Sequence, residues 1–218
     1  MAPAAPPDPL HPGDGGQIAL PLASPVRGQP DRIVIGEANR RVAEALAAPE
    51  GWPFGTAVLT GPPRSGKSLL GRWFAAAAPS HEVIDGADAP DEIDLFHRWN
   101  RVQESGGRLL LIVDRAPWTI GLPDLASRLG GSLQLEIGVP DDDMAGELLL
   151  AHAAARGLAL GEGARAYLVP RMERSFAAIE RIAATIDRIS LERKIAPTMS
   201  VWRDALDAVQ GPQQARLL

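Results

Sequence analysis

The sequence predicts an α/β protein, a parallel sheet flanked by helices, followed by a small all-helical domain. Three observations carry this. The glycine-rich stretch Gly61-Pro-Pro-Arg-Ser-Gly66-Lys67-Ser68 joins a strand-like run to a helix-like one. Short β-type runs alternate with helical patterns before that stretch and after it, the signature of a parallel sheet with helices on both faces. At Val139-Pro140 the alternation stops, and everything beyond reads as helix.

In chain order, residues 1–16 are dominated by Pro, Gly and Ala without period, and read as a disordered tail. Gln17–Leu22 is a short apolar island inside that flexible leader, which spans 1–27. The α/β domain is set at 28–140. It opens on the β-type run beginning at Ile33, followed by a helix over Glu37–Ala47 that Pro49 closes. Thr56–Thr60 is a strand that enters the glycine-rich loop, and a helix over Ser68–Ala77 leaves it and stops at Pro79. A strand at Glu82–Asp85, a helix at Glu92–Gln103 and a strand at Leu109–Val113 follow, with Gly106-Gly107 as the turn before the last. The helical domain is set at 141–211, with 212–218 as a tail. Its first helix, Asp141–Arg156, begins with acidic residues and ends at Gly157, the usual asymmetry of helix ends. Phe176, Ile179, Ile182, Ile186 and Ile189 form one apolar stripe, so Ser175–Arg193 is an amphipathic helix capped by Ser175. Residues 201–209 add a last short helix.

Composition narrows the function. At 218 residues, 45% hydrophobic and 22% charged, the chain has ordinary globular make-up and enough length to bury a core. A net charge of -5 argues against direct sequence-specific DNA binding. Cysteine is absent, which excludes a thiol nucleophile, a zinc ribbon and a disulfide framework. There is neither an apolar run long enough to cross a membrane nor a secretory start, so a cytoplasmic protein without membrane attachment is expected. The four histidines share no ligand spacing, and the five tryptophans are expected to be packing residues.

Of 22 basic residues only Lys67 and Lys194 are lysines, and Lys67 falls inside the pattern G-x-x-x-x-G-K-[ST]. That pattern has a mechanical logic. Gly61 and Gly66 let the backbone curl so that successive amides, those of Arg64, Ser65 and Leu69 among them, face phosphate oxygens. Lys67 supplies an ammonium to the β- and γ-phosphates, and the Ser68 hydroxyl joins a Mg2+ shell. The N-terminus of the following helix adds its positive end. ADP or ATP with Mg2+ is the expected cofactor.

Further motifs resemble a known family. Ile33-Val34-Ile35-Gly36 with Asn39 is similar to the opening of the replication initiator DnaA, where those positions adjoin the nucleotide. Asp114-Arg-Ala-Pro117 and Leu122-Pro-Asp-Leu-Ala-Ser-Arg128-Leu129 resemble two further DnaA segments, and Arg171–Glu180 resembles the start of its lid helix. The resemblance covers roughly residues 31–207 and implies an AAA+ P-loop domain with a helical lid. Lacking DnaA's flanking domains, the chain resembles the short DnaA-related regulators of the Hda family. These carry an N-terminal sliding-clamp-binding motif, which Gln17, Ile18, Leu20 and Leu22 fit. An extended peptide of this kind places leucines in a hydrophobic groove, although a stray apolar run packing on its own domain has the same composition.

The resemblance also implies an arginine finger at Arg128, presented to ATP held by a neighbouring subunit, whereas a surface arginine closing a helix is the plain reading. It assigns the metal-binding strand to His81–Asp85, with Asp85 beside Mg2+, whereas pattern alone points to the apolar run ending at Asp114. Only 17 residues separate Lys67 from Asp85, so one strand–helix unit common in the family is expected to be missing. Three catalytic positions depart from the family: Gly86 where a second acid is usual, Ile112-Val113 in place of a polar pair, and Ala177 where the lid carries an arginine, with Arg174 or Arg181 as substitutes from neighbouring turns. A nucleotide binder with weak turnover of its own is expected. The implied role is a regulator that binds the sliding clamp and promotes hydrolysis of DnaA-bound ATP, with homodimerisation a further implication. The alternatives are a nucleotide-binding scaffold that recruits another replication factor, and an independent P-loop ATPase or kinase.

Overall fold

The structure, a computed structural model, describes residues 20–21 and 32–211. The run Leu109–Val113 is apolar at every position because the strand it forms is covered on both faces. β5 (Arg108–Ile112) lies between β3 (Thr56–Thr60) and β4 (His81–Asp85), and β6 (Leu133–Glu136) flanks β3 on its other side. All three pairings are parallel, with Thr56 opposite Leu109, Asp85 opposite Ile112 and Thr60 opposite Glu136. Parallel strands need crossovers, and the helices that provide them cover both faces. Leu110 and Ile112 of β5 join a core with Val42 and Leu46 of α1 (Arg40–Ala47) and Leu70 and Phe74 of α2 (Lys67–Ala77). Leu109 and Leu111 face the opposite side. There they meet Leu95, Trp99 and Val102 of α3 (Glu92–Ser105) and Leu125 and Leu129 of α4 (Pro123–Gly130).

Among the described residues the main sheet has four strands, with β4 at one edge and β6 at the other. Two strand expectations change. The β-type run at Ile33 contributes only β2 (Arg32–Ile33), which pairs antiparallel with β1 (Leu20–Pro21) away from the main sheet. β6 and α4 were not expected as elements: four and eight residues respectively give too little periodicity to show.

Helices α5 (Asp142–Ala154), α6 (Glu162–Leu168), α7 (Phe176–Arg193) and α8 (Met199–Gln210) pack around their own apolar cluster. The stripe on α7 is buried as its spacing requires, with Ile179, Ile182 and Ile186 fully covered. Ser175 accepts a hydrogen bond from Ala178 N at 3.2 Å, and Asp141 accepts one from Met144 N at 2.7 Å, so both caps form. Met144, Ala151 and Phe176 also reach the core beneath the sheet, joining the helical part to the α/β part. Among the described residues no helix is long and apolar enough to cross a membrane.

Candidate phosphate-binding site

Each strand of the main sheet ends on the same side, and the loops after β3, β4 and β5 converge there. A cleft of about 500 Å³ opens between them and the helical part. Pro63 through Leu69 form its floor, Asp85 and Asp114 one wall, and His152 of α5 with Glu180 of α7 the other.

The floor is built for an anion. Gly66 caps α2 in the left-handed region at φ 88°, without a side chain closing the helix end. The first-turn amides of α2 therefore have no intrahelical partner and point outward with the positive end of the helix. A Cβ at Gly61 would come within 2.9 Å of Ile137, so the loop's first position accepts no side chain. Lys67 is buried, its Nζ donating to the carbonyls of Gly61 at 3.0 Å and Pro62 at 3.3 Å, with Asp114 Oδ1 at 3.9 Å. The Ser65 hydroxyl is buried with no hydrogen-bond partner among the described residues, a cost that a bound acceptor would remove. Uncapped amides, a buried ammonium and an orphaned hydroxyl suit the phosphates of a nucleotide. A Mg2+ ion takes one or two carboxylates and completes its shell with phosphates and water. Ser68, Asp85 and Asp114 line the cleft in numbers that fit this, and the described residues hold no cluster of three or more carboxylate, imidazole or thiol groups that would hold a metal alone.

Asp114, given up in favour of Asp85 on the family's pattern, thus shares the cleft with it. Its position depends on Asp88, whose carboxylate accepts from Asp114 N at 3.0 Å and from Arg115 N at 3.1 Å. Burial raises the Asp88 pKa, but these backbone donors and the Arg115 charge outweigh it and hold the carboxyl below its ordinary value. An Asp three residues past a strand has no distinguishing pattern, which is why sequence reasoning passed over it.

The remaining expected residues fall into three places. Asn39 is buried, and its amide is consumed locally: Oδ1 accepts from Gly36 N and Nδ2 donates to Val34 O, both at 2.9 Å. It shapes the Ile35-Gly36 turn, and none of the three lines the cleft described above. Arg128 stands on α4 and is likewise absent from that lining. Its guanidinium lies 4.8 Å from the Phe96 ring centre and 4.4 Å from that of Trp99, and Nη1 donates to Asn100 Oδ1 at 3.1 Å. Gln17, Ile18 and Leu22 lie outside the described residues, while the Leu20 backbone pairs with Ile33.

The positions at which the resemblance suggested other residues have these surroundings. Gly86 turns at φ 68°, left-handed backbone that glycine adopts without strain. Ile112 and Val113 are wholly buried between helices. Neither substitute for Ala177 reaches the cleft: Arg174 pairs with Asp142 at 2.9 Å and Arg181 is exposed. The lid instead contributes Glu180, which sequence reasoning did not single out. Arg64, left-handed at φ 65°, holds Glu180 in a two-pronged ion pair through Nε and Nη2.

No protein-family profile matches the chain. Solved structures do resemble it. Domain III of the replication initiation protein DnaA from Thermotoga maritima aligns over 83% of this chain and 95% of its own, at 12% identity and a TM-score of 0.68. The RuvB Holliday junction branch migration motor from the same organism aligns over 83% and 73%, at 15% identity and a TM-score of 0.58. AMPPCP-bound DnaA from Aquifex aeolicus aligns over 74% and 62%, at 18% identity and a TM-score of 0.53. The parallel sheet, the phosphate loop and the helical lid together are the AAA+ P-loop fold.

Proposed function

We propose that the chain is an ATP- or ADP-binding AAA+ protein related to DnaA, acting in the control of replication initiation. The observation that carries the nucleotide reading is the floor of the cleft, where the uncapped N-terminus of α2, the buried Lys67 ammonium and the unpartnered Ser65 hydroxyl converge. The AMPPCP-bound DnaA neighbour supports it by analogy of fold. In this reading Ser68, Asp85 and Asp114 hold Mg2+, which when bound neutralises phosphate charge. With a left-handed glycine at Gly86 and apolar Ile112 and Val113, the chain's own residues bind and shield nucleotide but give little help in orienting an attacking water.

The finer proposal is that the protein regulates DnaA. The leader Gln17–Leu22 would dock on the sliding clamp, and Arg128 would face ATP held by DnaA. Stacking against Phe96 and Trp99 favours this, because it fixes the guanidinium plane while a single hydrogen bond, to Asn100, occupies only one of its five donors. The same contacts suit a second reading, a scaffold in which Arg128 only ties α4 to α3.

ATP hydrolysis by DnaA with DNA-loaded clamp separates the two readings. Stimulation by the wild type that falls at least about 100-fold in Arg128→Ala and is not recovered in Arg128→Lys assigns the finger. Equal stimulation by wild type and Arg128→Ala leaves the scaffold, and no stimulation by the wild type sinks the regulatory reading. The variants are compared at matched folded fraction, since losing the stack and the hydrogen bond costs about 1–2 kcal/mol of stability.

A further inference from the structure

The lid wall of the cleft carries an acid where phosphates are expected to arrive. Glu180 lies one turn into α7, its side chain 15% exposed. Arg64 grips both of its oxygens, and Arg156 Nη2 stands 4.0 Å from Oε1. Arg156 is itself steered by Nη1 donating to the His152 carbonyl at 2.8 Å. The carboxyl is partly buried, which raises its pKa, but the Arg64 hydrogen bond and the charges of Arg64, His152 and Arg156 outweigh burial and keep it ionised.

Two features set this pair apart from an ordinary surface ion pair. Arg64 belongs to the phosphate loop itself, with Ser65, Gly66 and Lys67 directly after it, and its left-handed backbone sends the side chain out to the lid. A guanidinium fork also takes carboxylate and phosphate oxygens in the same two-pronged geometry. Asp85 and Asp114 are carboxylates that a divalent cation can share with phosphate, whereas Glu180 stands on the opposite wall with Arg64, Arg156 and His152 as counter-charges.

We propose that Glu180 is an internal competitor for phosphate. In the free protein it occupies the Arg64 guanidinium; a nucleoside di- or triphosphate on the loop takes that guanidinium over and releases the lid wall. Glu180 then weakens nucleotide binding and couples α7 to occupancy of the loop. If the pair is closed nine-tenths of the time, apparent affinity is reduced about tenfold, because only the open fraction binds. The inference rests on the nucleotide-site reading above and adds to it a residue that sets affinity from the lid.

Calorimetric titration of the full chain with ADP and with ATP, in Mg2+, tests it. Glu180→Gln keeps shape and removes charge, and is expected to bind about fivefold or more tightly than wild type. Glu180→Ala should shift affinity the same way. Arg64→Ala should bind more weakly than wild type, and in that background Glu180→Gln should change affinity less than about twofold, since its target is gone. Circular dichroism confirms that each variant is folded. Equal or weaker binding by Glu180→Gln overturns the proposal. So does a Glu180→Gln effect of full size in the Arg64→Ala background. A silent wild type with a binding Glu180→Gln supports it in its strongest form. If neither binds nucleotide, the site reading fails and the competitor role falls with it.

Discussion

Gly86 sits at φ 68° in the turn after β4, where Ala89 N bonds back to its carbonyl at 3.0 Å. A Cβ added at Gly86 would have Asp114 Oδ2 as its nearest neighbour at 3.7 Å, ordinary contact, so the constraint is in the backbone and not in crowding. Gly86→Ala is accordingly expected to lower stability by about 1 kcal/mol in urea denaturation, and Gly86→Asn by clearly less, because Asn tolerates left-handed backbone. Equal losses in the two variants would show that the turn does not impose its φ. Single residues were legible in the sequence to unequal degrees. The phosphate loop was readable because its glycines and lysine answer to backbone chemistry within eight positions. The Arg64–Glu180 pair spans 116 positions and depends on how α7 lies across the cleft, and no local pattern encodes that. Asn39 was placed at the nucleotide by resemblance; the oxygen and the nitrogen of its side-chain amide both bond within its own loop.

At the scale of elements, α2 lies against the sheet at Gly71, where a Cβ would meet Ile112 Cδ1 at 2.7 Å and Val83 Cγ1 at 3.1 Å. This gives Ile112 a packing reason to be apolar. Gly71→Ala should cost about 1–3 kcal/mol through overpacking. Pairing it with Ile112→Val, which withdraws the crowded methyl, should return part of that loss, so the two changes together cost less than their sum. Strict additivity in a double-mutant cycle would contradict the close approach. The long helices α2, α3 and α7 were read from sequence to within a few residues, as was the short strand β5, whose unbroken apolar run marks it. β6, α4 and α6 run only four to eight residues, and tertiary contacts set them more than local periodicity does.

Across the whole molecule, two depressed carboxyls tie stability to pH. Asp88 and Glu180 both have folded pKa values below their ordinary ones, so the folded state binds their protons less readily than the unfolded chain does. Their stabilisation is fully present above the ordinary carboxylate range, about pH 4, and is lost as pH falls through the lower folded values. Thermal melts from pH 7 to pH 3 should therefore show midpoints dropping on the acid side. Asp88→Asn should be less stable than wild type at pH 7 and lose less on acidification. A variant whose pH profile parallels the wild type would assign the acid loss to other carboxyls.

α7 also has the proportions of a lever. Phe176 anchors its first residue in the core beneath the sheet, Glu180 follows four residues later, and Arg193 closes the helix seventeen residues from the anchor. At 1.5 Å per residue the short arm is about 6 Å and the long arm about 26 Å. A tilt that moves Glu180 by 1 Å carries the far end about 4 Å. That far end bears Leu191 and adjoins Ile195 and Met199, all solvent-facing. A tilt of α7 with the lid packed on it, too small to open the cleft, would thereby shift an apolar surface at the opposite extremity of the lid.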